Sequence, residues 1–149
     1  MNVYRISRSL YAEDLSGTGA RMVGGRWNTK GIALLYTAES RALAAMELAV
    51  RVDFSRKPKD LVMITIGLPE EVGIVEPHSL PEDWHQYPHR ALTRQIGNAF
   101  VREGKALVLK VPSAVVKGDY NFLINPHHSD FKHVRILHVI PFDFDDRLS

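Results

Sequence analysis

Ile32-Ala33-Leu34-Leu35-Tyr36-Thr37, running without a break into Ala38-Glu39-Ser40-Arg41-Ala42-Leu43-Ala44-Ala45-Met46-Glu47-Leu48-Ala49-Val50, is the stretch that decides the fold. The first six residues read as a strand and 38–52 as a helix entered directly from it. Glu39 in the first turn and Arg51 in the last both suit the helix dipole. One residue in this helix resists the pattern. Glu47 stands alone among apolar helix formers, and a helix apolar all round is expected to be buried. An isolated buried carboxylate costs several kcal/mol unless it is paired or neutralised. Such a group is kept because a cation meets it, in a structural salt bridge, or because chemistry needs it.

Working outward, 3–6 reads as a strand before this unit, and 61–66 and 73–76 as strands after it. The segment 77–88 holds Pro77, Pro81 and Pro88 with Trp84, and is expected to be loop with at most a short turn. An amphipathic helix is predicted over 92–102, with Leu92, Ile96, Ala99 and Phe100 on one side and Gly104 just past its end. Extended segments at 106–111, 115–116, 121–124 and 134–142 follow, separated by Pro112, Gly118-Asp119 and Pro126. There is no internal repeat or linker. Strands in runs with two helices predict an α+β fold with mixed or antiparallel sheets and flanking helices. The 149 residues are read as one domain over 1–149.

Composition narrows the function classes. The chain is 45% hydrophobic and 24% charged, as in ordinary globular proteins. No apolar run approaches the ~20 residues that span a bilayer, and Met1-Asn2-Val3-Tyr4-Arg5 lacks the apolar core of a signal peptide. The absence of cysteine rules out disulfides and thiolate metal sites, and fits a cytoplasmic setting. A net charge of +2 does not imply nucleic-acid binding. The densest basic patch, 51–59, reads as a solvated helix end and loop.

Four features carry candidate chemistry. Gly24-Gly25-Arg26-Trp27-Asn28-Thr29-Lys30-Gly31 allows close backbone approach and delivers a guanidinium fork suited to phosphate or carboxylate. It is not a Walker loop, since no Gly-Lys-Ser/Thr follows; the plainer reading is a hairpin with a surface arginine. Tyr36 closes a strand just before the Glu47 helix, either as a stacking wall for a planar heterocycle or as a core-rim tyrosine. Ser113 follows Pro112 at a strand end without the Gly-x-Ser-x-Gly elbow of a nucleophile. Asn125, before Pro126, is placed to present an amide inward. His127, His128 and His133 with Asp130 do not match a metal-binding spacing, and a polar loop is the better reading.

Together these segments resemble the RES domain, the toxin half of RES–Xre toxin–antitoxin pairs, named for an arginine, a glutamate and a serine. Arg26 in Gly-Gly-Arg-Trp-Asn, Glu47 in Ala-Ala-Met-Glu and Ser113 in Val-Pro-Ser match in type and order. Tyr36 matches the tyrosine before the family's helix, Leu123-Ile124-Asn125-Pro126 its late asparagine-proline segment, and Val3-Tyr4-Arg5-Ile6 its opening strand. The resemblance covers about 3–142.

It implies a fold similar to the ADP-ribosyltransferase toxins and an enzyme that destroys NAD by cleaving the nicotinamide–ribose bond, through hydrolysis or phosphorolysis, arresting growth. The implied catalytic residues are Glu47, Arg26 and Tyr36. Arg26 would hold the pyrophosphate and Tyr36 stack near nicotinamide, while Ser113 and Asn125 would hydrogen-bond the ribose or amide. NAD is the substrate, so no cofactor and no metal is called for. The implied partner is an Xre-type helix-turn-helix antitoxin that makes the DNA contacts itself, in a complex that has room for a toxin homodimer; neither nucleic acid nor membrane is a direct partner. An ADP-ribosyltransferase acting on a protein or nucleic acid is the alternative on the same fold, and the missing Glu-x-Glu motif argues against it. A non-catalytic binding module is a third reading, disfavoured because a dead cleft need not keep Arg26, Tyr36 and Glu47.

Overall fold

Short apolar runs build a single mixed sheet from β1 (Asn2–Arg8), β2 (Leu35–Ala38), β3 (Leu61–Gly67), β4 (Ile74–Val75), β5 (Val108–Pro112), β6 (Tyr120–Ile124) and β7 (Arg135–Phe142). The computed structural model describes residues 1–87 and 91–148. Among the described residues three α-helices accompany the sheet: α1 (Thr18–Val23), α2 (Arg41–Ala49) and α3 (Ala91–Glu103). The strand order is β4-β5-β6-β2-β1-β3-β7, antiparallel throughout except for the parallel β4–β5 pair. This is the expected α+β architecture.

Register sorts the side chains onto two faces. β1 and β3 pair along their whole length, from Asn2↔Gly67 to Arg8↔Leu61. β2 meets β1 at Tyr4↔Ala38 and lies beside β6 from Leu35↔Ile124 to Ala38↔Asn121. Val3, Leu35, Ile64, Ile66, Val108, Phe122 and Ile124 therefore share one face and form the main core with Val134 and Leu68. The opposite face carries two separate clusters. Leu34, Leu109, Val111 and Leu123 pack with Trp27 and Phe100 at one end. Ala38 and Met63 pack with Leu43 and Ala44 of α2 at the other.

Several boundaries differ from the sequence reading. The helix expected over 38–52 is shorter because Ser40 caps it, its side chain accepting the Leu43 N–H at 3.0 Å. Glu39 lies before the cap and accepts the Tyr120 N–H at 3.0 Å instead. Arg51 lies past the helix end, its Nε 3.3 Å from the Glu47 carbonyl. Nor is α2 buried all round: Met46 is 46% and Val50 61% exposed. It lies on the sheet by one face only, burying Leu43 and Ala44. The 115–116 segment is turn rather than strand, because its N–H groups bond the Ser113 hydroxyl. The loop expected over 77–88 holds its strand-free character through 87, and Pro88 lies outside the described residues.

Candidate active site

The glycine-rich loop is built to be immobile. Gly24 adopts φ +76° at the end of α1, where glycine is the residue with no steric cost. Asn28 is fully buried, and its amide donates to the carbonyls of Ala20 at 2.8 Å and Ile32 at 3.0 Å. Its Oδ1 accepts the Tyr36 hydroxyl at 2.6 Å, and that hydroxyl in turn accepts the Trp27 N–H at 3.0 Å. A Cβ on Gly25 would sit 2.8 Å from the Tyr36 oxygen, so the loop and the tyrosine can approach only through a glycine. α3 clamps the other side. Asn98 Oδ1 accepts the Thr29 N–H at 3.1 Å, Thr93 Oγ1 donates to the Arg26 carbonyl at 2.7 Å, and a Cβ on Gly97 would fall 1.6 Å from the Trp27 carbonyl oxygen.

Arg26 projects from this clamped loop. Its Nη1 donates to the carbonyls of Trp84 and Gln86, each at 3.1 Å, and its guanidinium carbon lies 5.9 Å from the Trp84 ring centroid. Burial lowers its pKa, while the charges of Glu47 and Tyr36 oppose that shift. An arginine so placed stays cationic. Burial likewise pushes the Tyr36 hydroxyl well above its ordinary value, against the opposing pull of the Trp27 N–H, Arg26 and Arg51. Tyr36 is therefore a neutral hydrogen-bond donor.

Glu47 is half-buried on α2, and its Oε1 accepts two hydrogen bonds: from Ser113 Oγ at 2.8 Å and from Asn121 Nδ2 at 2.7 Å. Ser113 is 4% exposed, and its oxygen also accepts the N–H groups of Val115 and Val116, both at 3.0 Å. Its single proton thus has one direction to point. No cation is paired with the Glu47 carboxylate among the described residues; neutral donors satisfy it.

The structure brings Arg26, Tyr36 and Glu47 into one electrostatic neighbourhood on the two-cluster face of the sheet. Ser113 reaches that neighbourhood as a partner of Glu47, and its committed hydroxyl does not face a ligand. Asn125 does not reach it. Its Nδ2 donates to the Val101 carbonyl at 3.2 Å and its Oδ1 accepts the His127 N–H at 3.0 Å, and the residue is 1% exposed. It lies past the far end of β6, about 13 Å along the strand from Asn121 at ~3.3 Å per residue. Asn121 is the residue the sequence reading missed; its one signal was a polar side chain opening an otherwise apolar strand. Among the histidines, His128 caps a short helical turn, its Nδ1 accepting the Asp130 N–H at 3.0 Å.

An open depression of about 330 Å³ flanks the glycine loop, lined by Gly24, Gly25, Asn28, Lys30 and Arg94 among others. Glu47 is not in its wall. The depression can take a phosphate-sized group beside the loop but not the bond on which Glu47 would act.

The RES domain model matches residues 2–145. A Sphingobium protein named Prs ADP-ribosylating toxin is 35% identical over 95% of this chain and 91% of its own length. A Pseudomonas putida protein named Toxin Res is 37% identical over 99% of both chains. The crystal structure of the Mycobacterium tuberculosis MbcT–MbcA toxin–antitoxin complex contains a chain that superposes with a TM-score of 0.77 at 17% identity, covering 95% of this chain and 83% of that one, and so shares the fold. With a family model spanning nearly its whole length, and relatives 35% and 37% identical along nearly all of it, the chain belongs to the RES domain family.

Proposed function

We propose that this chain consumes NAD by breaking the nicotinamide–ribose bond, with water or phosphate as acceptor. The observation that carries this reading is the state of Glu47. Its charge is held by two neutral donors through one oxygen and is not spent on an ion pair. A carboxylate in that state offers a full negative charge to a cation that exists only transiently. Cleavage of a glycosidic bond passes through such a cation, the oxocarbenium form of the sugar. The electron pair of the C1′–N bond moves into the pyridinium ring, and nicotinamide leaves neutral. Glu47 stabilises the positive charge left at C1′. Water then adds with loss of a proton to give ADP-ribose, or phosphate adds at the same carbon to give ADP-ribose 1-phosphate. Arg26 holds the pyrophosphate with the guanidinium hydrogens not engaged by the Trp84 and Gln86 carbonyls, and the Tyr36 ring forms the wall beside nicotinamide.

This chain acts, on this reading, as the toxin of a toxin–antitoxin pair. Relatives named Toxin Res and the toxin–antitoxin complex of the structural neighbour support it. The antitoxin is an Xre-type helix-turn-helix protein that closes the cleft and makes the DNA contacts, which agrees with a net charge of only +2. ADP-ribosyl transfer to a macromolecule is the second reading, and the name of the Sphingobium relative favours it. It needs only a protein or nucleic-acid nucleophile in place of water. Incubating purified protein with NAD, with and without phosphate and with cell lysate, separates the three acceptors by their products. NAD left intact under all conditions refutes the reading.

A further inference from the structure

We infer that Asn121 is a positioning residue for Glu47, forming with Ser113 a two-donor cradle that fixes which carboxylate oxygen faces the substrate. The inference rests on the NAD-cleaving reading above and adds to it a residue and a division of labour between the two oxygens of Glu47.

The geometry is specific. Asn121 lies on β6 opposite Ala38 of β2 and Val111 of β5, on the face that also carries Leu123 and Tyr36. Tyr36 pairs with Leu123, so Asn121 and Tyr36 are diagonal cross-strand neighbours. The side chain of Asn121 thus lies on the same sheet face as that of Tyr36, and its Nδ2 meets Glu47 Oε1 at 2.7 Å. Ser113 approaches the same oxygen at 2.8 Å, and its direction is enforced by the two backbone N–H groups that fill its lone pairs. Both donors converge on Oε1, and among the described residues Oε2 takes no hydrogen bond.

Without this cradle, a half-buried glutamate on a helix face samples several rotamers, and holding one of them costs side-chain entropy. With it, Oε2 is presented in one place. It can face C1′ of the ribose or accept a hydroxyl next to it, where hydrogen bonds strengthen as the sugar becomes cationic. Hydrogen bonds to an ionised carboxylate are stronger than those between neutral groups, and Oε1 accepts two of them. Asn121 itself need not touch the dinucleotide.

The test is steady-state kinetics of NAD loss by the purified full-length protein. Asn121→Ala should lower kcat by on the order of tenfold to a hundredfold, the usual penalty for a misplaced catalytic group, with KM for NAD changed less than about twofold. Asn121→Asp keeps the side-chain shape but turns an acceptor and a like charge toward Oε1, so it should fall below Asn121→Ala. Because Asn121 acts through Glu47, adding Asn121→Ala to Glu47→Ala should leave the residual rate within about twofold of the single variant. An equal loss in both backgrounds would make Asn121 merely structural and overturn the inference. So would a raised KM with kcat unchanged, or wild-type turnover by a folded Asn121→Asp. Wild-type protein that leaves NAD intact would instead overturn the underlying reading and this one with it.

Discussion

The Tyr36 hydroxyl and the Asn28 side chain, joined at 2.6 Å, fasten β2 to the glycine loop that carries Arg26. Asn28 is buried and otherwise engaged with the carbonyls of Ala20 and Ile32. The single tyrosine oxygen thereby couples a strand, a loop and a short helix. The hydroxyl has a supporting role that is separate from any role of the ring.

Tyr36→Phe tests that separation. The ring remains, while the Trp27 N–H and Asn28 Oδ1 lose their partner. Leaving buried polar groups unsatisfied costs about 1–3 kcal/mol, and the midpoint of denaturant unfolding should fall accordingly. NAD binding should weaken because the loop bearing Arg26 is less fixed. Unchanged stability would show that water replaces the hydroxyl without cost.

The same residue predicts a pH dependence. Burial raises the folded-state pKa of Tyr36, so the unfolded chain ionises first. Between the ordinary tyrosine pKa of about 10 and the raised folded value, the unfolded state binds fewer protons than the native state, and stability falls as pH rises. Below about pH 10 the contribution is fully present. Comparing wild type with Tyr36→Phe by denaturant unfolding from about pH 8 to about pH 11, the difference between them should shrink over the last unit or so. A difference that grows with pH would contradict the assignment.

Gly97→Ala should separate α3 from the loop. The added Cβ would lie 1.6 Å from the Trp27 carbonyl oxygen, and the obstruction is backbone rather than a mobile side-chain end. Overpacking of this kind typically costs 1–3 kcal/mol, occasionally more. Both the melting temperature and NAD turnover should drop. Wild-type behaviour in both would mean that α3 and the loop slide apart freely.

Much of this architecture is legible in the chain, for local reasons. β1, β3 and β7 follow from apolar runs bounded by turns, and α3 from its periodicity and from Gly104 at φ +61° just past its end. α1 is not legible. It is six residues long with a glycine inside it, and an Asn28 side chain bonded to the Ala20 carbonyl helps hold it. The site divides in the same way. Glu47 stands out by local context, and Arg26, Tyr36 and Ser113 only through the family resemblance, whereas choosing Asn121 over Asn125 depends on where α2 lies across the sheet. The two asparagines are four residues apart and have the same parity in an extended chain, so no local pattern distinguishes them. A non-local contact does.

Arg26→Lys should raise KM for NAD. The lysine keeps the charge but not the planar fork that donates to the Trp84 and Gln86 carbonyls while leaving hydrogens for a pyrophosphate. Stability should change little, since the loop is held chiefly through Asn28 and α3. An unchanged KM in Arg26→Ala would remove arginine from the binding assignment.

Glu47→Gln carries the mechanism furthest. The amide keeps the shape and can still accept from Ser113 and Asn121, so the fold should persist, but the charge that faces the developing cation is gone. Preorganised electrostatic groups are worth on the order of 10²–10³ in rate, and NAD loss should fall by at least that factor. In cells the same logic gives a growth phenotype. Wild-type protein expressed without an antitoxin should deplete NAD and arrest growth, and Glu47→Gln or Glu47→Ala should relieve both at equal protein level. On the proposed reading, coexpression with a helix-turn-helix antitoxin should relieve arrest by wild type as well, by covering the site without altering Glu47. Arrest that persists in a folded Glu47→Ala variant, with NAD still consumed, would place the chemistry elsewhere in the molecule.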